Sequence, residues 1–234
     1  MSEKLPVSIV CLCLAIFVFI AGLLGTPTLE SFDMTLSHLV RGTDDPVNPA
    51  GPIWLEEVVR DISALGSRVV LLLILICFAA LSYFKRIFRL FLYFTIALGL
   101  TVGTNYILKE SFDRERPANV EHEAKTFTKS FPSAHAMEST FTYLSAALLL
   151  SSIFGLTLKA RAAAVMIAAT VALAISLSRI YLGVHHASDI VAGAALGLSL
   201  CLLFDMLARR LLRKSESNLY KRHRHESDSL ETPV

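Results

Sequence analysis

The chain has 234 residues, 54% of them hydrophobic and 18% charged, with a formal net charge of +2. A mean hydropathy of +0.57 excludes an ordinary soluble domain, which has no way to hide that much apolar surface, and points to a single membrane domain. The near-neutral charge gives no reason to expect a nucleic-acid partner, so the placement of the charges matters more than their sum.

A membrane-spanning helix needs about 20 mostly apolar residues, and six runs qualify. They are Leu5 to Gly25, Arg68 to Phe84, Leu90 to Leu108, Ala134 to Gly155, Ala160 to Ser178, and Asp189 to Ala208. The first run is longer than a signal-peptide core, and Gly25-Thr26-Pro27 is a poor cleavage site, so it reads as a retained helix. Between runs one and two, Trp54 to Ile62 has an amphipathic helical pattern, which suits either the membrane surface or packing on other loops. Pro27, Pro46, Pro49 and Pro52 mark irregular backbone around it. Cys11, Cys13, Cys77 and Cys201 all lie in apolar runs and read as small buried hydrophobes, with no metal-site spacing. Residues 215–234 are polar and aperiodic, and are expected to form a disordered tail after a membrane domain of residues 1–214. Within that tail, Lys221-Arg222-His223-Arg224-His225 has the chemistry to meet a metal or anionic lipid, but a solvated cytoplasmic tail is the preferred reading.

Basic residues cluster at Lys4, at Lys85, Arg86 and Arg89, at Lys159 and Arg161, and at Arg209 to Lys214. With six spans all four clusters fall on one side, which the positive-inside rule makes the cytoplasm, together with both termini. The expected fold is therefore an all-α membrane protein of six transmembrane helices. Lys109, Arg114, Arg116, Lys125, Lys129 and Arg179 fall on the opposite face, against that rule. Anion binding is the simplest reason for them.

Three polar clusters share this outer face. Lys109 to Pro117 follows the third run, Phe131-Pro132-Ser133-Ala134-His135 opens the fourth, and Ser178 to Asp189 joins the fifth to the sixth. Cations at a membrane boundary are costly and usually paired or functional. Arg grips phosphate oxygens bidentately, while Lys acts as a point charge. A helix opening at Ser133 presents free N–H groups and a positive dipole end to an anion, with Ser133 as N-cap or phosphate donor. His185 and Asp189 are four apart and share a face if helical. A carboxylate on one ring nitrogen fixes the tautomer and frees the other as a nucleophile. Glu138 either tunes His135 or lines the polar helix entrance. Asn105 and Tyr106 lie within reach of the pocket, His186 reads as interfacial, and Asp205 pairs with Arg209.

The clusters resemble the three-part signature of the type 2 phosphatidic acid phosphatases: Lys, six residues, Arg-Pro; then Pro-Ser-Gly-His; then Ser-Arg, five residues, His, three residues, Asp. Lys109 and Arg116-Pro117 fit the first part, and Ser178-Arg179, His185 and Asp189 fit the third. The second departs once, with Ala134 in place of the usual Gly. If that position demands positive φ, alanine is strained there. The resemblance implies a metal-free, cofactor-free reaction in two steps. In it Lys109, Arg116, Arg179, Ser133 and the Ala134 N–H hold the phosphate. His185 attacks phosphorus, Asp189 orients His185, and His135 protonates the leaving oxygen and then activates water.

A site level with the lipid head groups favours a lipid phosphate partner over a soluble one. The layout is nearest to bacterial phosphatidylglycerophosphate, undecaprenyl pyrophosphate and lipid A phosphatases. The expectation is hydrolysis of a phospholipid or polyprenyl phosphate at the periplasmic face of a bacterial inner membrane. Two rivals are a lipid phosphotransferase and a non-enzymatic lipid phosphate carrier. The carrier needs a polar path, and apart from Asp205 helices three to six hold few ionisable residues at mid-depth.

Overall fold

The computed structural model describes residues 4–42, 49–117 and 129–230, with side chains up to Arg210. Pro46, Lys125, the side chains of Lys221 to His225, and residues 231–234 lie outside the described residues. The described chain holds α1 (Lys4–Gly22), α2 (Pro27–Arg41), α3 (Ile53–Ala64), α4 (Arg68–Lys85), α5 (Phe88–Phe112), α6 (Ala134–Ile153), α7 (Leu158–Tyr181) and α8 (Ala187–Leu230). Among the described residues, α1, α4, α5, α7 and the Ala187–Arg210 part of α8 are long and apolar enough to cross a membrane. Their outward faces carry Phe19, Leu72, Leu100, Met166 and Leu173, all exposed. That surface is suited to hydrocarbon rather than water.

The expected fourth span, α6, is 20 residues long but does not share that apolar character. It is lined with Glu138, Ser139, Thr140, Thr142, Ser145 and Ser151, all buried. It sits inside the bundle, packed mainly on α7 and α8 and also on α5. There its hydroxyls need not face lipid; Ser139 and Ser151, for example, bond the carbonyls of His135 and Ala147. Aromatic packing of Phe94, Phe141 and Phe204 joins α5, α6 and α8 below the polar end.

Contact between α6 and α8 is close because α8 carries glycine there. A Cβ at Gly193 would lie 2.6 Å from Ser133 O, and one at Gly197 would meet Met137 O. Small residues one turn apart let two helix backbones approach in this way.

Two helices fill the segment before α4. Thr26 caps α2 by accepting the Leu29 N–H at 3.4 Å, with Pro27 at the first helical position, a favoured start. The irregular backbone expected around Pro27 is instead the regular helix α2. The amphipathic segment expected at 54–62 is α3. It packs on α7 while Ile53 and Trp54 remain exposed.

Two further expectations change. Cys13 and Cys201 are buried, but Cys11 and Cys77 are exposed on the apolar surface, because lipid-facing positions also tolerate a small hydrophobe. Residues 215–230, expected to be disordered, continue α8 as helix. Missing apolar periodicity removes packing partners, but Glu, Lys, Arg and Leu still favour helix. Extending an existing helix also carries no new nucleation cost.

Candidate active site

Four helix ends and two loops meet at one end of the bundle. Helix α5 runs one turn beyond its expected apolar stretch, so Lys109 lies inside it, buried. Asp113 ends α5 in the left-handed region at φ 48°, where aspartate is tolerated better than most residues, and turns the chain inward. Arg114 O then accepts the Ser130 N–H at 2.8 Å, so residues 114 and 130 stand side by side. On the far side Ser133 caps α6 by accepting the Ala136 N–H at 3.4 Å. Its own N–H donates to Asp189 O at 3.1 Å, fastening the start of α6 to the start of α8.

His185 is 4% exposed. Its Nε2 lies 3.3 Å from an Arg116 Nη1 that also donates to Val184 O at 2.7 Å. Its Nδ1 lies 3.2 Å from Ser130 Oγ and 3.4 Å from Asp189 Oδ2. Burial pulls the ring's pKa from 6.5 down to about 3, with Asp189 opposing and Arg116 and Lys109 assisting the fall. His185 is therefore neutral at physiological pH. Burial also lowers the Arg116 pKa, partly offset by Asp189.

Asp189 is fully buried and heavily engaged. Oδ1 accepts from Arg114 Nη1 at 2.7 Å, and Oδ2 accepts from Ser130 Oγ at 2.5 Å and from the His186 N–H at 3.0 Å. Arg114 extends the network to α2, donating from Nη2 to Asp33 Oδ2 at 2.7 Å and from Nη1 to Ser188 Oγ at 2.8 Å. Asp33 in turn accepts the Ser188 N–H and hydroxyl at 2.7 and 2.8 Å. A carboxylate from α2 thus caps the first turn of α8.

His135 lies on the first turn of α6, under the combined charge of Arg179, Arg116 and Lys109 and close to His185. Gly66, in the turn before α4, sits over its ring: a Cβ there would be 3.1 Å from His135 Cδ2. Arg179 Nη1 donates to Ser63 Oγ at 2.5 Å, while its buried Nε has no hydrogen-bond partner among the described residues. Lys109 Nζ bonds the carbonyls of Lys129 and Ser130.

The residues Lys109, Arg116, Ser133, Ala134, His135, Arg179, His185 and Asp189 all belong to this one end of the bundle. Ala134 is the first residue of α6 and is not among the residues with positive φ. The positive φ that would strain alanine in place of glycine is therefore absent at this position. Asn105 reaches the site loop by donating to Pro132 O at 3.2 Å, but Tyr106 points outward, 61% exposed. Arg114 and Lys129, expected among the anion-binding cations, are instead paired with Asp33 and Asp189, and with Asp113, respectively. Glu138 is buried three residues beyond His135, with Arg68 Nη2 at 3.8 Å. Asp33, Ser130, Ser63 and Ser188 also contact these residues and carry no motif that marks them in the sequence. Among the described residues no group of His, Cys, Asp and Glu is placed to hold a metal.

Fold and cluster together define an integral membrane protein of helices with histidines and cations gathered at one end. Residues 90–211 match the PAP2 superfamily, and the chain belongs to that superfamily. It is 30% identical over 203 residues to phosphatidylglycerophosphatase B of Bacillus subtilis (strain 168), covering 85% of this chain and 95% of that one. The crystal structure of the first transmembrane PAP2 type phosphatidylglycerolphosphate phosphatase from Bacillus subtilis superposes with a TM-score of 0.76 at 28% identity, over 88% of this chain and 96% of that one. LpxE from Aquifex aeolicus shares the fold, with a TM-score of 0.53 at 24% identity over 75% and 93% of the two chains.

Proposed function

We propose that this protein hydrolyses the phosphate of a membrane lipid, with phosphatidylglycerophosphate the first substrate to test. The observation that carries the reading is the setting of His185. A neutral imidazole, with an arginine donor against Nε2 and acceptors around Nδ1, has its lone pair on the nitrogen that faces the cations. Extensive likeness to the Bacillus subtilis phosphatase supports the substrate. In this reading α6 is a sixth span sheltered by the other five, both termini are cytoplasmic, and the site opens to the periplasmic side of a bacterial inner membrane.

Lys109, Arg116, Arg179, Ser133 and the Ala134 N–H receive the phosphate oxygens. Arg116 swings from His185 Nε2 onto the phosphate as it enters. The Nε2 lone pair then forms the N–P bond as the P–O bond to the lipid breaks, and His135, which takes up a proton once the phosphate anion offsets the surrounding cations, gives that proton to the departing oxygen. Asp189 stabilises the resulting imidazolium. In the second step water forms a new P–O bond, the N–P bond breaks, and the water proton passes to His135. Such a transition state is stabilised chiefly by positioning and by fixed cations around the equatorial oxygens. No metal takes part in this scheme.

The test is release of inorganic phosphate from phosphatidylglycerophosphate by the purified full chain, with and without EDTA. Activity that survives EDTA and is lost in His185→Ala and His135→Ala is expected. Near-normal release by either variant would overturn the assignment. Transfer of phosphate to an added acceptor lipid without free phosphate would make the protein a transferase.

A further inference from the structure

The hydrogen bonds around the nucleophile can be assigned atom by atom. A serine hydroxyl has one hydrogen, and an ionised carboxylate only accepts. The 2.5 Å contact from Ser130 Oγ to Asp189 Oδ2 therefore uses the Ser130 hydrogen. At 3.2 Å from His185 Nδ1, the same oxygen is left to accept, so the ring must donate. Arg116, on the opposite side of the ring, can only donate. Ser130 and Arg116 thus specify the same tautomer independently.

The logic continues outward. Ser188 Oγ accepts from Arg114, so its own hydrogen goes to Asp33 Oδ2. Arg114 spends Nη1 on Ser188 and Asp189 and Nη2 on Asp33. Every donor named here has an acceptor, and the Asp33, Ser130, Ser188 and Asp189 ends are each less than 5% exposed. A fully satisfied buried network of this kind is stiff and holds one arrangement.

We propose that Ser130 and the Asp33–Arg114 pair are positioning residues for His185. Ser130 holds the Nδ1 proton directly. Asp33 fixes Arg114, Arg114 fixes Asp189, and Asp189 fixes both Ser130 and the ring. When the Nε2–P bond forms and the lipid P–O bond breaks, the Nδ1 proton stays in place between Ser130 and Asp189, while the leaving oxygen takes its proton from His135. None of the three residues needs to touch the phosphate. This inference rests on His185 being the nucleophile.

The experiment compares Ser130→Ala, Ser130→Thr and Asp33→Asn with the parent chain, using phosphatidylglycerophosphate in detergent micelles. It reads kcat, KM, thermal midpoint and the rate of acid-labile phosphoenzyme formation. Ser130→Ala and Asp33→Asn should lower kcat per folded molecule by about 100-fold, the scale of a small misplacement of reacting groups. KM should stay unchanged, phosphoenzyme should form more slowly, and Ser130→Thr should restore most of the rate. A purely structural role would lower the thermal midpoint while leaving kcat per folded molecule intact. That result, or a rise in KM alone, would overturn the inference. Ser130→Ala removes a single oxygen, so it keeps the test open if Asp33→Asn does not fold. His185→Ala separates the two readings. If that variant still forms phosphoenzyme, the nucleophile assignment falls; if it is dead while Ser130→Ala and Asp33→Asn behave as parent, only the relay falls.

Discussion

Gly193→Ala tests whether the site depends on the spacing of α6 and α8. The added Cβ would lie 2.6 Å from Ser133 O, 3.3 Å from Ala136 Cβ and 3.4 Å from Met137 N. A comfortable carbon–oxygen approach is about 3.3–3.6 Å, so the helices must separate by about 0.7–1.0 Å at this point. The obstructing oxygen is backbone and already accepts the Met137 N–H at 3.0 Å, so it has little freedom to yield. Overpacking of this sort costs about 1–3 kcal/mol. The larger effect should be catalytic. Ser133 and His135 move with α6, while His185 and Asp189 belong to the start of α8. A misplacement of about 1 Å between such groups costs on the order of 100-fold in rate. The assay is phosphate release per folded molecule, corrected by the thermal midpoint in the same detergent. Gly197→Ala, one turn further from the site and against Met137 O and Thr140, should cost comparable stability with a smaller loss of kcat. Unchanged kcat in Gly193→Ala would refute the claim that backbone contact sets the histidine geometry.

Three further outcomes are expected. Burial lowers the His185 pKa from 6.5 to about 3, so its contribution to stability is complete above pH 6.5. It is lost as pH falls toward 3, because the unfolded ring takes up a proton that the folded ring refuses. Thermal midpoints across that window should fall more steeply for the parent chain than for His185→Gln, and equal slopes would refute this. Ala134→Gly should not raise activity, since Ala134 sits in an ordinary helical start, and should lower stability by about 0.4–1 kcal/mol through unfolded-chain entropy, read by thermal or denaturant midpoint. Arg41, 5% exposed, donates to Tyr181 O at 3.2 Å and packs on Gly183, whose φ is 69°. Arg41→Met should destabilise the chain by about 1–3 kcal/mol through the lost charged hydrogen bond, seen as a lower thermal midpoint with KM little changed.

The bundle was largely legible in the sequence because lipid imposes long apolar runs. The three motifs were legible because their spacing is regular, and the fold gathers their residues at one end of the bundle. What stayed hidden has physical causes. The polar α6 reads as a weaker span because its hydroxyls face protein rather than lipid. Arg114 looks like one more outer cation; only three dimensions show its charge spent on Asp33 and Asp189. Ser130, an ordinary serine before a proline turn, carries no signal until its oxygen lies between His185 and Asp189. The start of α2 did carry one, Thr26 followed by Pro27, and its residues are as amphipathic as those of α3, but its many polar side chains make it inconspicuous beside the apolar spans.

Asp33 lies well upstream of residues 90–211, the part that matches the superfamily. Arg41, Ser63 and Gly66, which touch Tyr181, Arg179 and the neighbourhood of His135, lie upstream as well. The portion of the chain that bears the family pattern is thus not a self-sufficient cassette. A chimera that kept α5 to α8 and borrowed its first four helices from elsewhere would inherit every signature residue. It would keep the brace at the start of α8 only if the borrowed helices brought a carboxylate to the place of Asp33. In this chain that dependence runs through an acid outside the matched region, so the motifs alone do not reveal it.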